Sequence, residues 1–475
     1  MLFNSNDYLI FLPIVYVLYW LLFKGNLKAQ NLVILVSSYV FYGWWDYRFL
    51  FLILLSTLVD FFIGLKVQNE LKPSKQKIYL WVSILFNIGV LAVFKYFNFF
   101  IDSLMEFLME LGFSQTNRWT INIILPVGIS FYTFQTMSYT IDIYRKNLKA
   151  TSDFIGFASF VAFFPQLVAG PIERATNLLP QILNKRKFDY KQSVQGLRLI
   201  LYGMFKKVVI ADSLAPRAND IFANYQDYDG GTLWLGAIYF SFQIYCDFSG
   251  YSDIAIGTSK LFGFELMSNF KFPYFSRNIG EFWRRWHISL STWFRDYLYI
   301  PLGGSKGGKW QSLKNIFIIF LVSGFWHGAN WTFLMWGFIH ALLYVPLFYF
   351  DLNRKYVGGI VAQNKFLPSI KEFIEIGVTY FFVVIAWVFF RSDTISNAFL
   401  YIKKMFIEIQ LPSSKLQGVG YCLVFIIIEW FLRKDERLST ISKYKIIRIL
   451  FYIFLLFHVV QYFGVVQTDF IYFQF

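Results

Sequence analysis

Apolar runs of bilayer-spanning or near-spanning length recur from one end of this chain to the other. They lie near 8–23, 31–45, 49–65, 78–98, 121–141, 154–170, 199–212, 232–248, 314–326, 331–350, 374–390, 418–432 and 447–464. A helix needs about 20 mostly apolar residues to cross the hydrocarbon layer. Lipid offers the backbone no hydrogen-bond partners, so only elements that satisfy their own N–H and C=O groups persist there. Several runs are too short for a full crossing. The pattern predicts an all-α polytopic membrane protein with about 11 transmembrane helices, the remaining runs being re-entrant or interfacial. Composition argues against a soluble fold: 57% of the 475 residues are hydrophobic and 22% aromatic, against 15% charged. Soluble cores stop growing near about 250–300 residues and could not hide so much apolar surface.

The opening "MLFNSNDYLIFLPIVYVLYWLLF" has no basic residue before its apolar run and no small-residue cleavage site after it. It is expected to remain as a first span rather than act as a signal peptide. The connectors then alternate in charge. Lys24 and Lys28 follow the first run; Asp46 and Arg48 the second; Lys66, Lys72, Lys75 and Lys77 the third. Residues 99–120 read as an acidic connector with Asp102, Glu106 and Glu110, and Arg145, Lys146 and Lys149 come next. The positive-inside rule places the N-terminus outside the cytoplasm. The net charge of +15 is then mostly cytoplasmic-face chemistry. It serves headgroup contact and topology, with attraction of an anionic co-substrate as a second reading. Residues 171–198 are too polar to span and are expected on that face or at the interface. Cys246 and Cys422 lie far apart in apolar segments and read as small core residues.

The segment "KFPYFSRNIGEFWRRWHISLSTWFRDYLYIPLGGSKGGKW" (271–310) is too charged for a span and too aromatic for a solvated loop. On a helix, Phe282, Trp283, Trp286, Leu290, Trp293, Phe294 and Tyr297 share one sector about 120° wide. Arg284, Ser291 and Arg295 face the other way. An amphipathic helix over 280–297, lying in the membrane interface, is expected. His287 falls at the boundary of its two faces, beside Ser291. It reads either as a helix-capping polar residue or as a site residue. Arg284 and Arg285 read either as lipid-phosphate contacts or as a clamp on a phosphate-bearing donor. The glycines of "PLGGSKGGKW" lack phosphate-loop spacing and read as a flexible turn.

"LVSGFWHGANW" (321–331) sets His327, one of four histidines, between two apolar runs. The run from Asn315 to Trp326 is only about half a crossing long, and "HGAN" interrupts it. Backbone that leaves regular helix at membrane depth is tolerated only in protein or along a cavity. Gly324 and Gly328, four apart, allow a neighbouring helix to approach closely. An ionisable residue there is costly and is a functional candidate. Burial favours the neutral imidazole, a base suited to deprotonating a hydroxyl. His340 and His458 sit in plain apolar runs and read as hydrogen-bonded core residues.

The stretches "LPVGISFYTFQTMSYTIDIYR" (125–145), "FFPQLVAGPIER" (163–174), "YCDFSGYSDIAIG" (245–257), "NFKFPYFSRNIGEFWRRWHISLSTWFRDYLYIPLGG" (269–304) and "GFWHGANWTFLMWGFIHA" (324–341) resemble the membrane-bound O-acyltransferase family. The likeness is to its bacterial branch of alginate O-acetyltransferases. "MLFNS" at the start and "AWVFFR" (386–391) also fit, so the resemblance covers nearly the whole chain. It implies one membrane-embedded domain, 1–475, with N-terminal helices 1–150, a catalytic core 151–345 and C-terminal helices 346–475 around a central tunnel open to both faces. The family's catalytic histidine falls on His327 and the second site histidine on His287. Arg284, Arg285, Trp283, Trp286, Ser291, Trp326 and Asn330 are then expected to bind donor or line the tunnel. Asp247 lies in another family motif and reads as a site residue or a helix-packing one. The departures are small: Val322, Ser323, Gly324 and Phe325 precede Trp326, and Ala341 follows His340, where relatives often carry other small or apolar residues.

The expected reaction moves an acetyl group from a cytoplasmic thioester, acetyl-CoA or an acyl carrier, to an extracytoplasmic polysaccharide. The resemblance implies an extracytoplasmic partner that completes the transfer, and residence in the bacterial cytoplasmic membrane. His327 would act as general base, and His287 would orient the donor or relay the proton. No metal and no tightly bound cofactor is expected, since the histidines are scattered and form no Cys/His cluster. Rival readings are D-alanyl transfer to teichoic acid, O-acetylation of peptidoglycan or another exopolysaccharide, a transporter, and a non-catalytic assembly scaffold. A transporter gives no reason for the Trp-rich charged segment at 282–297.

Overall fold

A computed structural model describes residues 1–112, 125–438 and 441–473, and the described chain is all-helical. In order, its helices are α1 (Asn6–Val17), α2 (Leu27–Asp46), α3 (Leu50–Asn69), α4 (Pro73–Leu91), α5 (Phe97–Glu110), α6 (Ile129–Tyr144), α7 (Phe154–Val161), α8 (Phe164–Leu167), α9 (Ala175–Leu183) and α10 (Tyr190–Met204). A wider π turn over Phe205–Ala211 leads into α11 (Asp212–Ala223) and then α12 (Gly230–Leu261). There follow α13 (Ile279–Arg285), α14 (Ile288–Phe294), α15 (Gly308–His327), α16 (Trp331–Tyr349), α17 (Ile370–Arg391), α18 (Ile395–Ile407), α19 (Val419–Leu432) and α20 (Lys445–Tyr462). Part of the apolar run at 121–141 and of the connector 99–120 lies outside the described residues.

Five helical stretches among the described residues are long and apolar enough to cross a membrane: Leu27–Asn69, Pro73–Glu110, Trp331–Tyr349, Ile370–Arg391 and Lys445–Tyr462. Their outward faces fit that solvent. Ile446, Ile449, Leu450, Ile453, Phe457 and Val460 along α20 are all exposed, an apolar stripe that water would penalise and acyl chains do not. Local chemistry sets the ends. Pro73 opens α4, where its missing N–H costs nothing. At α17, the Ser369 hydroxyl accepts from Glu372 N–H at 3.2 Å while the Glu372 carboxylate accepts from Ser369 N–H at 3.1 Å, a reciprocal cap.

The acidic connector expected from residue 99 is a helix as far as Glu110. Asp102, Glu106 and Glu110 recur every four residues, so they mark one face of α5 rather than a loop.

The chain divides into two compact units, Met1–Ser193 with Ser259–Leu266, and Val194–Thr258 with Met267–Phe475. The divisions read from sequence at 150 and 345 are not where these units part. Residues 151–193 fall with the N-terminal helices, where α7 packs on α2 and α3 and α9 packs on α6 and α7. The C-terminal helices fall with both histidines of interest. In the first unit, Asp60 of α3 is fully buried and takes hydrogen bonds from Ser83 at 2.5 Å, Asn87 at 2.9 Å and Thr140 at 3.3 Å. These polar contacts tie α3, α4 and α6 together where lipid supplies none. Cys246 and Cys422, both in the second unit, are buried and unbonded to each other.

Candidate active site

The second unit holds the site. α15 and α16 form a tight antiparallel hairpin. A Cβ on Gly324 would come within 2.2 Å of the Phe333 carbonyl oxygen, and one on Gly337 within 2.2 Å of the Phe320 carbonyl oxygen. Only hydrogen fits at those crossings. The half-length run expected before the break is corrected: α15 runs twenty residues from Gly308, and α16 turns back against it. The sequence suggested a half-span because the polar "GKWQSLK" start hides the helix's first two turns. His327 is the last residue of α15. Asn330 caps α16, its side chain accepting from Thr332 N–H at 3.0 Å and donating to the Asp393 carbonyl at 3.1 Å. It shapes the turn that carries His327.

The His327 ring is 4% exposed. Four aromatic rings surround it, with centroids at 4.9 Å for Trp326, 5.1 Å for Trp336, 5.2 Å for Phe390 and 5.7 Å for Tyr472.

His287 reaches the same place from another element. The single helix expected over 280–297 is corrected to two, α13 and α14, with His287 between them at φ 42°. A left-handed non-glycine residue costs about 1–3 kcal/mol and persists only where its surroundings over-determine it. Here Ile288 N–H donates to the Asn269 carbonyl at 2.9 Å and Ser289 Oγ to Asn269 Oδ1 at 2.6 Å. Those bonds hold the kink from a segment distant in sequence. The expected membrane-facing aromatic sector is also corrected. Phe282, Trp286, Leu290, Trp293 and Phe294 are buried in protein.

The kink aims His287 at the His327 cage. Its ring lies 4.7 Å from Phe248, 5.8 Å from Trp326 and 6.4 Å from Tyr472. It is 1% exposed, and among the described residues neither ring nitrogen has a protein hydrogen-bond partner. Trp326 and Tyr472 are therefore neighbours of both imidazoles. Tyr472 was missed in the sequence, because the terminal "DFIYF" carries no periodicity that marks a site.

The remaining candidates divide. Trp283 donates its Nε1–H to His340 Nδ1 at 3.3 Å, so it serves the fully buried His340. Trp336 touches both His340, at 4.9 Å, and His327. Trp286 packs among Phe270, Tyr274, Phe282 and Trp387. Ser291 bonds back to the Trp286 carbonyl at 3.4 Å. Arg285 is engaged within the protein. Its Nε and Nη2 are taken by Glu281 at 3.1 and 2.8 Å, and Nη1 by the Lys271 carbonyl at 3.0 Å. Arg284 gives Nη1 to the Asn353 carbonyl at 2.8 Å, while its buried Nη2 has no protein partner among the described residues. Asp247 faces Lys207 at 2.9 Å and accepts from Ile471 N–H at 2.8 Å. His458 donates its Nδ1–H to the Phe454 carbonyl at 2.9 Å.

The family model for membrane-bound O-acyltransferases matches residues 144–356, which include both site histidines. The chain is 42% identical over 408 residues to a probable alginate O-acetylase of Pseudomonas aeruginosa, an alignment covering 86% of this chain and 75% of that protein. The chain belongs to the membrane-bound O-acyltransferase family. As a membrane-bound O-acyltransferase it is also 33% identical, over 89% of its length and 81% of the relative's, to a peptidoglycan O-acetyltransferase of Helicobacter pylori. A teichoic acid D-alanyltransferase of Bacillus subtilis is 29% identical over 57% of this chain and 70% of its own length.

Proposed function

We propose that this O-acyltransferase moves acetyl groups from a cytoplasmic thioester, acetyl-CoA or an acyl carrier, to an extracytoplasmic polysaccharide of the alginate type, with an extracytoplasmic protein partner completing delivery. The observation that carries the reading is the convergence of His327 and His287 on the shared rings of Trp326 and Tyr472. The extended likeness to alginate O-acetylases supports the acceptor class. We place the enzyme in the bacterial cytoplasmic membrane with about 11 spans around a central tunnel, its N-terminus outside by the charge of its connectors.

His327 takes the proton of the acceptor hydroxyl. The oxygen attacks the thioester carbonyl, a C–O bond forms, the C–S bond breaks, and the proton passes to the departing thiolate. General-base help of this kind contributes about 10²–10⁴ in rate. His287, whose two ring nitrogens have no protein hydrogen-bond partner among the described residues, orients the donor or relays the proton. Arg284 Nη2 is the remaining cation of the pair for a donor phosphate. Since His327 is only 4% exposed, substrates reach it when the surrounding rings move. The enclosure also keeps water from the thioester.

A second reading, peptidoglycan as acceptor, is favoured by the relative that aligns over 89% of the chain. Purified enzyme in proteoliposomes, given labelled acetyl-CoA and alginate or peptidoglycan fragments with an extracytoplasmic partner, tests both. Label in alginate supports the main reading. Label only in peptidoglycan supports the second. Solute flux without thioester consumption overturns both in favour of transport.

A further inference from the structure

Two adjacent lysines lie in the π turn between α10 and α11, and each meets a carboxylate of the "YCDFSGYSD" motif on α12. Lys206 pairs with Asp253 at 2.8 Å. Lys207 pairs with Asp247 at 2.9 Å and with Asp212 at 2.8 Å. The three side chains of the Lys207 group are almost fully buried, at 5%, 3% and 1% exposure. One ammonium against two carboxylates leaves the group short of positive charge. In a low-dielectric interior, such a group is stable only when further donors complete it.

The C-terminal segment supplies them. Ile471 N–H donates to Asp247 Oδ2 at 2.8 Å, and the Thr468 hydroxyl donates to Asp212 Oδ1. Lys207 Nζ in turn donates to the Thr468 carbonyl at 3.1 Å. Phe470 and Ile471 are buried, at 1% each. Residue 472 follows directly, its ring 5.7 Å from His327 and 6.4 Å from His287. Every contact of the latch falls within four residues of Tyr472.

We propose that Lys207 is a positioning residue of the reaction centre: with Asp212 and Asp247 it latches the segment Thr468–Phe473 so that Tyr472 stands against both histidines. The role of those histidines rests on the acyl-transfer reading, but the latch itself is a matter of geometry and is measured separately. It also accounts for Asp247, which acts on the site through the chain end it holds.

Amide hydrogen–deuterium exchange on the full-length enzyme in detergent reads the latch directly. Lys207→Met keeps the side-chain length and removes the ammonium. It is expected to raise exchange of the 466–475 peptide at least tenfold while the α15–α16 peptides exchange as in the parent. Lys207→Arg restores part of the protection. Acetyl transfer should fall in kcat, with KM for the thioester unchanged, in proportion to the lost protection. Unchanged exchange of the terminal peptide in Lys207→Met overturns the latch. So does a rise shared by the α15–α16 hairpin, which marks general loosening. Raised terminal exchange with no acyl transfer in the parent enzyme overturns the acyl-transfer reading and leaves the latch standing.

Discussion

The indole of Trp336 meets the imidazole of His327 edge-on, centroids 5.1 Å apart and planes at 90°. Trp336 has no solvent exposure, so it holds the His327 ring against rotation while giving it an apolar wall. Trp336→Ala is expected to cost about 3–5 kcal/mol of stability, the usual price of emptying a buried aromatic site, and to reduce acetyl transfer. Trp336→Phe, which keeps a ring beside His327, should retain most of both. Thermal unfolding in detergent and the proteoliposome assay measure the two effects.

The helical hairpin that carries His327 depends on Gly324. Gly324→Ala puts a methyl group 2.2 Å from the Phe333 carbonyl oxygen, an overpacking expected to cost about 1–3 kcal/mol or more. Gly377, exposed on α17 with nothing within 4 Å of its would-be Cβ, provides the contrast. Gly377→Ala should be neutral or stabilising by about 0.5–1 kcal/mol, as for glycine in any open helix interior. The melting temperature should fall in Gly324→Ala and hold or rise in Gly377→Ala.

At His287 the backbone and the side chain make separate demands. His287→Asn accepts the left-handed conformation, so it should fold normally yet lose acetyl transfer. His287→Val adds a β-branched side chain at φ 42°, which resists that region, and should lose melting temperature as well. Equal activity in His287→Asn and the parent enzyme would remove His287 from the site.

Glu281 joins Arg277, at 3.0 Å, and Arg285, at 2.8 Å, with 1% of its side chain exposed. Removing one partner of a buried charge pair costs about 3–5 kcal/mol. Glu281→Gln should therefore unfold at markedly lower temperature. At temperatures where it stays folded, its KM for acetyl-CoA should match the parent's, because Arg285 is engaged by Glu281 and by the backbone carbonyls of Lys271 and Gly359. A raised KM would return Arg285 to the donor site.

Much of the fold was legible because lipid leaves so little choice: long apolar runs such as 374–390 could only be helices. His327 stood out because a titratable residue among glycines at membrane depth has few structural excuses. What stayed hidden was set by contacts distant in sequence. The kink at His287 is imposed by Asn269, so periodicity alone drew one helix through it. Trp286 and Trp293 looked membrane-facing because amphipathic spacing does not say which apolar medium covers a face. Tyr472 was invisible, although its anchor left a trace. Lys206 and Lys207 inside the apolar run 199–212, Asp247 inside the run 232–248 and Asp253 just beyond it each demand a counter-charge at depth. Matching those pairs would have found the buried network, but not the chain end it holds.

The central claim is that His327 is the base. The direct measurement is the rate of acetyl transfer from labelled acetyl-CoA by His327→Ala in proteoliposomes, beside its melting temperature and its affinity for the thioester. The account predicts a loss of about 10²–10⁴ in rate with fold and donor affinity intact. A folded His327→Ala enzyme that transfers acetyl groups at the parent rate would contradict it.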